Sequence, residues 1–238
     1  MPLPKIIRSR RKTIALIVQA DGSLEVRAPL RATNRQIAEL VEQKAEWIRT
    51  RQAKAIARPQ PEPHRFASGE HFWYLGKSCP LFVTGGGQVR LEFSDGKFTL
   101  SGYFPSHLFT AAVADGKDRN RREIARAMFT AWYRQQARRV LEERVALLAR
   151  HGGFSYSKVK ITSARTRWGS CSSRGTLSFP WRLVMAPLPV IDYVVVHELV
   201  HTVFTGHGPD FWGRVQALTP ECKQYVRWLK ENGARLEV

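Results

Sequence analysis

Cysteine is scarce: Cys79, Cys171 and Cys222 are the only three in 238 residues, they lie far apart, and they form no C-x-x-C pair. That usage excludes a disulfide framework or a zinc ribbon and matches a reducing cytoplasm. Long apolar runs are also missing. No stretch approaches the roughly 18 apolar residues of a transmembrane helix, so membrane insertion is not expected. Residues Met1 to Arg8 are basic but lack the apolar run and small-residue cleavage site of a secretory signal. Acidic residues are few as well: 20 Asp and Glu stand against 38 Lys and Arg, a formal charge of +18. From Arg144 to Ile191 there is no carboxylate, while Arg144, Arg150, Lys158, Lys160, Arg165, Arg167, Arg174 and Arg182 all lie there. Such a balance favours anionic partners, nucleic acid among them, although a basic surface also serves plain solubility.

A hydrophobic content of 43% and 11% aromatics give a globular chain with ample core. Residues 6–30 read as a hairpin: a β-rich run from Thr13 to Val18, a turn at Asp21-Gly22, and the alternating Leu24 to Ala28 ended by Pro29. Thr33 then caps a helix to about Ala57, with Ile37, Leu40, Val41, Ala45 and Ile48 on one face and mixed charges on the other. Residues 58–63 form a Pro-rich, extended linker. Short strands follow around Phe72–Leu75, Cys79–Thr84, Val89–Phe93 and Lys97–Ser101. Gly85 to Gly87 reads as a turn, since no Lys-Ser/Thr pair follows to make a phosphate loop. The expected fold class is α+β, with an antiparallel β-rich N-terminal domain carrying one helix over 1–105 and a second domain over 106–238.

The second domain opens with a long helix from about Arg119 to Arg150. Its apolar stripe is expected at Ile124, Met128, Ala131, Trp132, Ala137, Val140, Leu141, Val145 and Leu148, and its polar side carries Arg119, Arg121, Arg122, Arg126, Arg134, Arg138 and Arg139. His151-Gly152-Gly153 ends it, with His151 complementing the helix dipole. A strand over Lys158–Thr162 precedes a hairpin turning at Ser173-Arg174-Gly175, and Pro187 and Pro189 open a nearly apolar helix from Ile191 to about Phe204. A helix so apolar must be buried, so its ionisable residues require a reason.

Those residues are His197-Glu198-Leu199-Val200-His201, followed by His207. Two imidazoles at i and i+4 leave one helix face a turn apart, where both reach one tetrahedral cation. Glu198 is offset by one position and suits a metal-activated water rather than the cation itself, the H-E-x-x-H arrangement of zinc hydrolases. One buried histidine alone would suggest a ring satisfied by a backbone carbonyl; two at this spacing, a glutamate and a third histidine outweigh that reading. Gly206 lets the chain turn sharply, and Pro209 opens the next helix, which swings His207 back as third ligand. Three protein ligands leave a fourth position open, the mark of a catalytic site. The spacing resembles that of metzincins, but Phe204 stands at the glycine position and no Met-turn follows, which excludes that subclass.

Three segments resemble one family, the YgjP-like metallopeptidases, a zincin group of metal-dependent hydrolases related to the SprT and WLM types. They are Arg10-Arg11-Lys12-Thr13-Ile14 with Val26-Arg27-Ala28-Pro29; Arg167-Trp168-Gly169-Ser170-Cys171-Ser172 running to Trp181-Arg182-Leu183-Val184-Met185-Ala186-Pro187; and the H-E-x-x-H segment with His207 and Phe211-Trp212. Gly206-His207-Gly208 departs from the family's Asn-His-Ser, and Pro180 stands in place of an Asn. The resemblance implies a zincin-like domain, zinc on His197, His201 and His207, Glu198 as catalytic acid/base, and hydrolysis of a peptide or protein. Zincins lay extended peptides along a strand edge, for which the 167–172 segment is the candidate.

Arg167 has two open readings: steadying an oxyanion or a substrate carboxylate, or forming a salt bridge to a core carboxylate. Trp168 and Trp181 read as packing. Cys171 has no separate base and is not expected to act as a nucleophile. The leading expectation is a cytoplasmic zinc peptidase; the alternative is a nucleic-acid-associated basic protein whose zinc site is structural or vestigial.

Overall fold

A computed structural model describes residues 4–19, 21–57, 63–102 and 116–238. The linker expected at 58–63 falls almost entirely outside the described residues, as do the 105/106 boundary and the side chain of Arg119. By contacts the chain forms two compact units, Met1–Glu62 and Pro63–Val238.

In the first unit, β1 (Lys5–Ser9), β2 (Ala15–Val18) and β3 (Leu24–Pro29) form a sheet in the order β1-β3-β2. The expected hairpin is β2–β3, with Leu16 opposite Val26. Its turn is tightened by Asp21, whose Oδ1 accepts from the Ser23 amide at 2.9 Å. The strand β1 adds a parallel pairing to β3, so this sheet is mixed rather than antiparallel. Arg8 explains the addition, because its guanidinium donates to the Pro29 and Ala32 carbonyls and to Asn34 Oδ1, tying β1 to the loop beyond β3. The helix capped by Thr33 is two helices, α1 (Asn34–Gln43) and α2 (Ala45–Ile56), broken at Lys44. Thr33 and Gln36 form a reciprocal capping box, at 3.2 and 2.9 Å. Ile37 packs with Val26 and Ala28, whereas Ile48 is buried outside that cluster, so the two helices serve separate apolar contacts.

The second unit starts with β4 (His71–Tyr74), β5 (Lys77–Gly85), β6 (Arg90–Ser94) and β7 (Lys97–Gly102), in the order β4-β5-β7-β6 with β5 and β7 parallel. This sheet buries itself on α3 (Gly116–Gly152): Phe72 stacks on Phe129 at 4.2 Å, and Phe98 lies 5.1 Å from the same ring. The sheet and the long helix therefore share one core across the region where the domain boundary was expected. The buried stripe of α3 is Ala125, Phe129, Tyr133, Ala137, Leu141, Val145 and Ala149 at four-residue spacing, with Val140 beside it, while Ile124 is exposed. The stripe is thus rotated at its start from the expected one. Arg121 turns inward with it, donating to the Phe66 and Arg65 carbonyls.

A second sheet of this unit, β8 (Lys158–Thr162), β9 (Ser170–Cys171) and β10 (Thr176–Pro180), has the order β8-β10-β9. Trp181–Met185 forms a 3₁₀ turn, and α4 (Leu188–Val200), α5 (Pro209–Leu218) and α6 (Cys222–Asn232) follow. The β4–β5 turn docks on this 3₁₀ segment: the Leu75 and Gly76 amides donate to the Val184 and Met185 carbonyls at 2.9 and 3.1 Å. Gly76 has φ +78°, and a Cβ there would strike Pro187 at 2.8 Å, so only glycine lets the first sheet reach the start of α4. No helix among the described residues is long and apolar enough to cross a membrane.

Candidate metal centre

Helix α4 is apolar nearly all round and is buried from Val190 to Val200 with few interruptions. Its N-terminal half is fixed to α3 by Arg144, which grips both Asp192 carboxylate oxygens at 2.6 and 2.7 Å. That anchorage sets the rotation of the last turn, which carries His197 and Glu198, with His201 at the C-cap. Beyond it the chain reverses through residues 201–206 and enters α5 at Pro209. Gly206 keeps an ordinary φ, so the reversal does not use the left-handed freedom expected of it.

The turn brings His207 back over the helix. Its Nε2 lies 3.1 Å from His201 Nε2 and 3.2 Å from His197 Nε2. The three histidines are the only group of three or more His, Cys, Asp and Glu among the described residues whose donor atoms meet within 4.8 Å. His201 Nδ1 lies 3.0 Å from the Phe204 carbonyl, so it carries the proton and Nε2 presents a lone pair. One proton on His207 Nε2 cannot satisfy both neighbouring nitrogens. A tetrahedral cation with bonds of about 2.0–2.1 Å to nitrogen spaces its ligands about 3.3 Å apart, close to the separations here. The donor set fits zinc in both geometry and chemistry. Burial, and then the nearness of two further titratable imidazoles, His201 and His207, push His197 down to about 4, which keeps the ring neutral as a ligand must be.

Two aromatic side chains complete the pocket. Phe211, 1% exposed, lies under all three imidazoles with ring centres 4.9, 4.5 and 4.7 Å away. Trp212 is partly exposed and flanks His197 and His207 at 5.8 and 5.9 Å. In the sequence this pair stands out only through the family resemblance; its place directly after the Pro209 helix start is the other available signal.

Glu198 is buried, 6% exposed. Burial pushes its carboxyl up to about 7, with Arg167 opposing the shift. Arg167 is exposed and makes no ion pair among the described residues, so the core salt bridge considered for it is absent there and its charge acts on Glu198. Trp181 is buried in the core, while Trp168 lies against Arg182, whose guanidinium is 5.9 Å from its ring. Burial, and then the Glu198 charge, push the Cys171 thiol up, away from the thiolate a nucleophile needs. His151 is exposed in the last turn of α3.

Residues 12–232 match the family model described as YgjP-like, metallopeptidase domain. Among solved structures, the metallopeptidase zymogen abylysin of Pyrococcus abyssi aligns with 38% of this chain and 93% of its own, at 20% identity and a TM-score of 0.35. No curated protein matches the sequence.

Proposed function

The chain belongs to the YgjP-like metallopeptidase family, a family of metal-dependent peptidases, and from that premise we propose a zinc peptidase built on His197, His201 and His207 with Glu198 as general base and acid. The convergence of three imidazole nitrogens at 3.1 and 3.2 Å carries this reading. Three neutral imidazoles favour zinc over harder divalent ions. Held by His197, His201 and His207, a zinc ion would supply Lewis acidity, lowering the pKa of a water toward neutrality and polarising a carbonyl.

The chain's own residues supply the proton traffic. The Glu198 carboxylate accepts the proton of the attacking water and returns it to the leaving amine, a role suited to a carboxyl near 7. Arg167, exposed beside it, steadies the developing oxyanion or a substrate carboxylate. Strand β9 is the edge of its sheet and lets an extended peptide add alongside. The three free cysteines support a reducing, cytoplasmic setting.

Zinc analysis combined with Glu198→Ala tests the proposal. The variant is expected to keep one equivalent of zinc while hydrolysis of labelled casein falls by about 10²–10⁴-fold. A protein unable to take up zinc, or a variant as active as the wild type, would sink it.

One observation favours a second partner. Within the carboxylate-free block, Arg144 and Arg182 are paired internally, but Arg150, Lys158, Lys160, Arg165, Arg167 and Arg174 are exposed. Exposed cations of this kind suit phosphates, either recruiting the peptidase to nucleic-acid complexes or making nucleic-acid association the primary role with a structural or vestigial zinc site. Affinity for a DNA or RNA oligonucleotide should then fall steeply as salt rises, and a flat salt response would remove this reading.

A further inference from the structure

The connection from β8 to β9 passes Glu198 more closely than any side chain would permit. A Cβ added to Gly169 would lie 2.5 Å from Cγ and 2.7 Å from Cδ of Glu198, and closer still to Oε1. Contacts of a real Cβ do not fall below 3.0 Å. The demand for glycine is not conformational, because Gly169 lies outside the left-handed region and any residue can adopt its backbone. The nearest atoms around the added Cβ all belong to Glu198.

The segment is held in place from both directions. Behind it, Arg182 is buried and donates to the Ala164 carbonyl and to Glu237 Oε1, each at 2.8 Å. Trp168 sits between that guanidinium and the end of α6, where a Cβ on Gly233 would meet its ring at 2.8 Å. Ahead of it, Ser170 and Cys171 pair with Ser178 and Leu177 of β10. Gly169 therefore cannot recede to make room for a side chain.

We propose that Gly169 is a positioning residue for Glu198: its bare Cα is a wall against which the carboxylate rests, limiting where the carboxylate can lie. Its catalytic consequence rests on the reading of Glu198 as general base; the contact itself does not. Displacing such a group by about 1 Å costs on the order of 10²-fold in rate.

Gly169→Ala, Glu198→Gln and Glu198→Ala in the full chain, with both double variants, test this by thermal unfolding, zinc stoichiometry and casein turnover. Gly169→Ala is expected to lower Tm by about 5 °C in the wild type and in the equal-sized Glu198→Gln background. In Glu198→Ala, where the space is vacated, the loss should largely vanish. Gly169→Ala should keep its zinc and lose about 10²-fold in kcat with KM unchanged. Equal Tm losses in all three backgrounds would overturn the proposal, as would an unchanged kcat in an active enzyme. If Gly169→Ala does not fold, folding of Gly169→Ala/Glu198→Ala supports it and failure of both overturns it. A wild type that leaves casein intact counts against the peptidase reading, while the unfolding cycle still decides whether Gly169 positions Glu198.

Discussion

Helices α3 and α4 lie side by side, joined by Arg144 and Asp192, yet their polar residues mean different things. On α3 the apolar stripe is buried and most of the arginines face solvent, where Arg138 and Glu142 pair at 3.8 Å with both side chains more than half exposed. Many such charges can change without consequence. On α4 little faces solvent, and its charged and imidazole side chains are few and set in specific contacts. Asp192 locks the helix to α3, His197 meets His201 and His207, and Glu198 lies against Gly169. A polar residue is informative in proportion to what its burial would otherwise cost.

The contrast can be broken by substitution. His201→Ala should remove zinc binding and with it all casein hydrolysis, read by metal analysis and turnover. Retention of a full zinc equivalent would place the ligands elsewhere. Asp192→Ala leaves Arg144 without its bidentate partner in a half-buried site and should cost about 2 kcal/mol in denaturant unfolding. A loss below about 0.5 kcal/mol would make this pair no different from a surface one. Arg138→Ala, on the solvated side of α3, should change stability by less than about 0.5 kcal/mol. A larger effect would mean that the basic face of α3 carries structure after all.

The same contrast explains what can be read in the sequence. The histidines and Glu198 are legible because a buried, apolar helix has no other use for them, and the H-E-x-x-H spacing states its own geometry. The β2–β3 hairpin and the Thr33 cap are legible because turns and caps are local chemistry. The stripe of α3 is harder: Ile124 and Met128 are as apolar as Ala125 and Phe129, and only packing against Phe72 and Phe98 selects between them. The parallel pairings of β1 and β7 depend on contacts remote in sequence and leave no local pattern. Gly169 is, in the sequence, only a letter in a motif; its meaning is a distance to a side chain 29 positions away.

The phenyl ring of Phe211 has a kinetic corollary. It is buried against all three imidazoles, whereas His207 is exposed, so an ion held by the three would meet solvent on the His207 side. A peptide substrate of the proposed enzyme would approach from that same side. Bound substrate would then stand between the ion and solvent, and a chelator should strip an enzyme saturated with peptide more slowly than an idle one, read as zinc release over time.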